Sequence, residues 1–510
     1  MTEPPRPVRL ALALVPGRRL AGWQARLVDR LAADPLVTLA GRVSLPRPGT
    51  AAAGRMAPLA AIEERALAFH LPRYDTARAA ALVAGLAEIE GRSPACDAIL
   101  RLTGEGPAAP EAAVPTLFLR IEGEPVDRAG LACRRAAAGA ADLVAVDLVE
   151  ARGDGTEACL DGALYNPKFS AAATAEFVLE KALLLVERAL HRRARYGPDG
   201  SDCPPIRAPA REPARLLPYL GHLGAETLGR SRFGSRMKRR REHWRLRVGR
   251  GAADTLDPAD TYPAERFRYC MADPFPFAHG GRTYLFYEAH GRDGGPAWIE
   301  VAVVDGRRLV RLGEAVRTDY HLSFPFVFRD GEDIYMIPET QSVARLELWK
   351  AIEFPLVWQR WRIALEGSYP ADSVLFVHRG AWWLLSNISD HFAFQEHSSE
   401  LYAFRVDGPA LRRIEPHPDN PVVIGSDRAR NAGAPFRRDG RLFRPAQENA
   451  GQRYGRAVRL MEITRLDEEA YAEHEVCRIG PEAIPGALGL HHLGVLDDDD
   501  RLFLDVAFRG

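Results

Sequence analysis

Acidic, amide and imidazole side chains recur at matched places in the second half of the chain. The stretch MADPFPFAHGGRTYLFYE (271–288) closes on Glu288, and FPFVFRDGEDIYMIPE (324–339) closes on Glu339. Laid together, they match Pro274 with Pro325, Phe275 with Phe326, Gly280 with Gly331 and Tyr284 with Tyr335. A third copy, ADSVLFVHRGAWWLLSN, puts Asp372 under Asp273 and Asn387 under the glutamates. A fourth, NAGAPFRRDGRLFRPAQ, puts Gln447 in the glutamate column, and a fifth, HHLGVLDDDDRLFLDVAF, puts His492 under the two aspartates. The early column thus holds Asp273, Phe324 beside Ser323 and His321, Asp372, Ala432 beside Arg430 and Asn431, and His492 beside His491. The late column holds Glu288, Glu339, Asn387, Gln447 and Ala507. A repeated hairpin needs its glycine turn and its Phe/Tyr packing; it does not need polar groups at its strand ends, so the two columns read as a site. Carboxyl groups facing each other across a polar cleft suit glycosidic chemistry, in which one acid protonates the leaving oxygen and one carboxylate activates water. Asp273 is the candidate base, Asp372 the neighbour that raises or orients it, and Glu339 the chosen acid, with Glu288 its competitor. His492 and Arg430 suit a phosphate or a uronate carboxylate. His321, Ser323, Asn431, Gln447 and His491, with Arg444, Tyr454 and Asp505 in the adjoining strands, complete the expected substrate-binding set.

Such convergence requires an architecture that brings the copies together. Five β units spaced by roughly 50–60 residues are the signature of a propeller with one four-stranded sheet per blade, whose first strands face a common axial channel. This all-β domain is expected over 262–510. Ahead of it, VRLALALV, VTLAGRVS and CDAILRLTG read as strands that alternate with the helical spacings of LAGWQARLVDRLAADP and TARAAALVAGLAEIEG. Further strands at PTLFLRIEGE, ADLVAVDLVEARG and TEACLDGALYNP lead to a closing helix, SAAATAEFVLEKALLLVERALHRR. Residues 1–193 are therefore expected as an α/β, Rossmann-like domain with a parallel sheet. Between the two, 194–261 reads as a Pro- and Gly-rich linker that carries a basic helix. Ten basic residues fall between Arg230 and Arg250 against one acid, Glu242. Their functional reading is a phosphate or anionic-lipid patch; their ordinary reading is a solvated helix that packs Trp244 and Leu246 on a neighbour.

Composition sets the outer bounds. A chain of 510 residues exceeds one hydrophobic core. Equal totals of 68 basic and 68 acidic residues, with 46% apolar content, exclude an acidic disordered tail and a globally cationic nucleic-acid binder. The apolar run near the N-terminus is too short for a membrane helix, and the six cysteines show no CxxC or Cys/His pairing, so a reducing cytoplasm is expected. The same scatter of cysteines suggests no metal, and no cofactor is expected, since VPGRRLAG after the first strand lacks the glycine spacing of a phosphate loop.

The runs ADPFPFAHGGRTYLFYE, YHLSFPFVFRDGEDIYMIPET, ELWKAIEFPLVW, DSVLFVHRGAWWLL and RLFRPAQENAGQRYG, in this order, resemble the domain found at the N-terminus of plant glucosamine inositolphosphorylceramide transferases and in many bacterial proteins. The resemblance covers about 262–510, and the transferase chemistry of that name belongs to a separate domain that it does not reach. That domain is similar to the five-bladed propeller of family 43 and related glycoside hydrolases. The resemblance implies that Asp273, in the first-blade DP motif, is the general base and that Asp372 modulates it. The acid glutamate of those hydrolases, at the start of the fourth blade, meets Asn431 and Ala432 here. Residues 8–193 more faintly resemble the formyltransferase fold that precedes this propeller in bacteria, without its HxSxLP-like run; the nearest histidine is His70 in AFHLPRYD. Three functions are thereby open. The propeller channel binds, and hydrolyses or transfers, a glycosyl unit of a glycan or glycoconjugate; it recognises a glycan in envelope polysaccharide synthesis without catalysis; or the first domain is an enzyme acting on a nucleotide sugar.

Overall fold

The computed structural model describes residues 5–46, 63, 75–89, 96–103, 114–198, 216–230, 242–292, 294–389, 396–496 and 500–509. The chain divides into two units, Met1–Glu226 and Thr227–Gly510.

In the first unit, strands Val8–Leu14, Val37–Ser44, Ala98–Arg101 and Thr116–Ile121 run parallel, with the first strand between the second and the third. Helix Gly22–Ala33 supplies the crossover from the first strand to the second. Helix Thr76–Gly85 starts on Asp75, whose carboxylate accepts the N–H groups of Ala77 and Arg78. The sheet is mixed where the sequence predicts a parallel one: Val144–Ala151 lies antiparallel to Thr116–Ile121, and Glu157–Tyr165 antiparallel to Val144–Ala151. Connection length decides this, because the short turn 152–156 closes a hairpin and cannot carry a crossover. The closing helix, Ala171–Tyr196, is capped by the Ser170 hydroxyl, and its Arg188 holds Asp161 with two hydrogen bonds of 2.7 and 2.6 Å. His70 lies outside the described residues. No helix among the described residues is long and apolar enough to cross a membrane, and the five described cysteines are free thiols.

The second unit is a five-bladed β-propeller. Blade 1 comprises Cys270–His279, Arg282–His290, Trp298–Asp305 and Arg308–Val316; blade 2 comprises Ser323–Asp330, Asp333–Glu339, Leu346–Glu353 and Val357–Ala364. Blade 3 is built on Pro370–His378, Ala381–Ile388, Glu400–Val406 and Ile414–Pro416, and blade 4 on Phe436–Arg438, Arg441–Ala450, Arg453–Leu466 and Tyr471–Ile479. The innermost strands of blades 1 to 3 are buried along almost their whole length, whereas an outer strand such as Val357–Ala364 is mostly exposed. This explains why the inner strands read as unbroken apolar runs interrupted only by the site residues.

Blade 5 closes the ring with strands from both ends of the unit: Ala487–Val495 and Arg501–Arg509, then Glu242–Arg250 and Tyr262–Pro263. The stretch expected as a linker with a basic helix is thus, in its described parts, a helix at Leu216–Arg230 and a blade strand at Glu242–Arg250; residues 231–241 lie outside the described set. The basic count conceals a period of two, in which Leu246 and Val248 are buried while Arg245 is exposed and Arg247, between them, is half-buried. The strand pairs with Arg501–Arg509 in unbroken register from Arg501↔Arg250 to Arg509↔Glu242.

Candidate functional site

The site rests on a defect repeated in the inner strands. In four blades the ladder skips two residues, between Ala272 and Phe275, Ser323 and Phe326, Ala371 and Val374, and Leu490 and Leu493. Such bulges re-aim side chains out of the strand's alternation. Asp273, Phe324 and Asp372, first in their bulges, take φ of +51°, +46° and +44°. Left-handed backbone is costly for a side chain with a Cβ, most of all for phenylalanine, and persists only where its surroundings fix it. Here hydrogen bonds between blades fix it: Asp273 N–H donates to Asp505 Oδ2 at 2.9 Å, and Phe324 N–H donates to Asp273 Oδ2 at 3.0 Å. The register also corrects the repeat. His491, not His492, occupies the bulge position of Asp273 and Asp372, and Val506, not Ala507, matches Glu288, Glu339 and Asn387. In blade 4 the inner strand is broken: Asn431 bridges Ala446, and pairing resumes only at Phe436.

One half of the centre is carboxylate and imidazole. His491 lies between two acids, its Nδ1 2.7 Å from Asp505 Oδ1 and its Nε2 3.6 Å from Asp273 Oδ1. His492 Nδ1 lies 3.5 Å from the same Asp273 oxygen, its ring edge-on to Phe275 and Phe324. Asp505 also accepts the N–H groups of His491 and His492, so it acts as the anchor of this half, fully buried behind the site rather than facing a ligand. Burial alone would raise the Asp273 carboxyl; His492, His491 and the Phe324 N–H outweigh it and hold the group well below the ordinary carboxylate range. Burial likewise opposes charge on His491, but Asp505 and then Asp273 raise it to about 9. Trp244 stacks on the His491 ring at 3.9 Å, and Gly455 keeps this contact open, since a Cβ there would sit 2.7 Å from His491 Cβ.

This imidazolium has a consequence for pH. A histidine whose folded pKa is raised contributes stability that is complete below the unfolded value of about 6.5 and is lost as pH rises through about 9. The thermal midpoint of the full chain is therefore expected to fall between pH 6.5 and 9.5 by the equivalent of about 3 kcal/mol. In His491→Gln this slope should flatten; an unchanged slope would contradict the assignment.

The other half is built on Arg430. Its Nε donates to Asp372 Oδ2 at 2.5 Å, and its Nη2 to Glu339 Oε2 at 3.1 Å. Two buried carboxyls share one guanidinium here. Asp372 takes the greater share of the Arg430 donors, together with Gln447 Nε2 at 3.5 Å. Burial, then the adjacent Asp372, push the Glu339 carboxyl well above the usual range against the opposing Arg430. Ser323 pairs with Glu339 in the ladder. Asn431 is buried and structural: its N–H donates to Asn387 Oδ1, and its Nδ2 to the Asp372 carbonyl. Arg444, expected to bind substrate, is fully buried and bound to both oxygens of Glu473, to Asn431 Oδ1 and to backbone carbonyls, so it braces the loop that carries Arg430. The Arg430 guanidinium lies 5.1 Å from the Tyr454 ring, which meets His491 edge-on at 5.4 Å and so links the two halves. Tyr454 is 45% exposed and forms the open side of the centre. Among the described residues, the buried Gln447 Oε1 and both ring nitrogens of His492 have no hydrogen-bond partner.

A third group stands at the end of the second strand of blade 1. His290 Nε2 lies 2.6 Å and His321 Nε2 3.4 Å from Glu288 Oε1. His290 escaped the sequence reading although E-A-H on a strand places Glu288 and His290 on one face. Of the aromatic residues nearby, Phe275 is buried against Phe324 and His492 and is unavailable for stacking on a ligand.

Fold and site define a five-bladed propeller with an ionisable centre fed by every blade. Residues 257–484 match the family described as "Glucosamine inositolphosphorylceramide transferase 1, N-terminal". The chain is 35% identical over 210 residues to glucosamine inositolphosphorylceramide transferase 1 of Arabidopsis thaliana, covering 40% of this chain and 27% of that protein. It is 34% identical over 208 residues to the protein of the same name from Oryza sativa subsp. japonica, again over 27% of that protein's length. Among solved structures, Zg3597, a family 117 glycoside hydrolase of Zobellia galactanivorans, aligns with a TM-score of 0.34 at 12% identity, over 52% of this chain and 90% of that one.

Proposed function

We propose that the propeller centre takes a glycosyl unit of a glycan or glycoconjugate and promotes its hydrolysis or transfer, with Asp273 as the base and Glu339 as the acid. The observation that carries this reading is the placing of two buried carboxyls in one centre with opposite surroundings: Asp273 Oδ1 lies 3.6 and 3.5 Å from His491 and His492 nitrogens, which lower it, whereas Glu339 shares Arg430 with Asp372 and is raised by burial. Unpartnered Gln447 Oε1 and half-exposed Tyr454 supply the hydrogen bonding and ring surface that a sugar uses. The plant relatives carry the words glucosamine and inositolphosphorylceramide in their name, and a glycan or glycoconjugate ligand is in keeping with it. A second reading, recognition without turnover, draws on a different observation: Arg430 engages both Asp372 and Glu339, and the buried Asn431 beside it is taken up by Asn387 and the Asp372 carbonyl. The full chain should therefore be assayed on a glycan array and for release from aryl glycosides. Binding with release supports catalysis. Binding without release, abolished by both Asp273→Asn and Arg430→Ala, supports recognition alone, and no binding to any glycan overturns both readings.

A further inference from the structure

We propose that Glu288, His290 and His321 form a site for a divalent transition metal, zinc by the chemistry of its ligands. This inference is independent of the glycan reading, and it departs from the expectation that the chain holds no metal. Two ligands come from the end of strand Arg282–His290, where residues two apart share a face, and the third from the connection that enters Ser323–Asp330. The candidate ligand atoms all lie within 4.8 Å of one another. A tetrahedral zinc with nitrogen and oxygen ligands at about 2.0–2.2 Å spaces them by about 3.3 Å. The 3.4 Å between His321 Nε2 and Glu288 Oε1 already fits, and the 2.6 Å between His290 Nε2 and Glu288 Oε1 needs only a small opening.

Charge pairing strengthens the assignment. Several other buried glutamates of the propeller are met by arginine, as Glu300 is by Arg311, Glu347 by Arg345 and Glu448 by Arg478. Glu288 is 7% exposed and, among the described residues, is ion-paired only with His290 and His321. A buried carboxylate faced by two imidazoles is a donor set suited to zinc, since neutral imidazole and carboxylate are both its ordinary ligands. The two histidine side chains are 30% and 39% exposed, which leaves a path for entry and a fourth coordination position for water or a ligand oxygen.

The test is titration of the full chain with Zn²⁺, with metal content measured after desalting, and with Co²⁺ as a visible-absorption reporter. The expected result is about one Zn²⁺ per chain, lost by more than about tenfold in affinity in His290→Asn, His321→Asn and Glu288→Gln. Zn²⁺ should also raise the thermal midpoint of the wild type but not of these variants, whose midpoints in chelator report whether they remain folded. His491→Asn, in the neighbouring Asp273/His491/Asp505 cluster, should retain the metal. No bound zinc in the wild type, zinc retained by the His290→Asn/His321→Asn double variant, or zinc lost on His491→Asn instead, would each overturn the proposal.

Discussion

Asp273→Asn is expected to abolish release of the glycosyl unit, by about 10²–10⁴-fold or more, while leaving glycan affinity within a few fold. The amide keeps the size of the carboxylate and an oxygen to accept the Phe324 N–H, so the left-handed backbone at both bulges stays supported. What it loses is the capacity to take a proton. Glu339→Gln should behave differently. An amide there still accepts from Arg430 but has no proton to give, so substrates with poor leaving groups should suffer far more than activated aryl glycosides. Equal losses on both substrate types would remove Glu339 from the acid role.

Arg430→Met should destabilise the propeller by about 3–5 kcal/mol near neutral pH, the cost of leaving buried carboxyls without their cation. Arg430 is the guanidinium shared by Asp372 and Glu339, which are 2% and 8% exposed and cannot turn to water. The sign of the pH dependence follows. With the guanidinium gone, nothing opposes the burial that already raises the Glu339 carboxyl, which binds a proton more readily in the folded state than in the unfolded one, so the loss grows as pH rises and shrinks as pH falls. Urea unfolding at pH 5 and pH 8 measures this; a loss below about 1 kcal/mol at pH 8 would mean that Arg430 is not the cation on which the two acids depend.

Much of this centre is legible in the sequence because the propeller repeats. Matched Gly280 and Gly331, Phe275 and Phe326, and Tyr284 and Tyr335 give five hairpins, and the hairpins give the columns. The misreadings have physical causes. A bulge adds a residue without a mark in the sequence, so the repeat alone aligns His492 with the aspartates, whereas the ladder puts His491 beside Asp505 and Asp273. Arg444 looks like a ligand-binding arginine until Glu473, two strands across the same blade, is seen to accept from its Nε and Nη2. The strand Glu242–Arg250 was hidden by its charge, because a count of basic residues does not register that Leu246 and Val248 alternate with arginine. In the first unit the alternation of strands and helices predicts the parallel core, but only the length of the turn at 152–156 reveals the antiparallel hairpin that ends the sheet.

The functional account depends on Asp273 being ionised and Glu339 protonated at neutral pH. Infrared difference spectroscopy of the full chain measures it directly, through the C=O stretch of a protonated carboxylic acid. The account predicts such a band near pH 7 that disappears in Glu339→Gln and persists in Asp273→Asn. A band lost in Asp273→Asn and kept in Glu339→Gln, or no protonated carboxyl band at all, would contradict it.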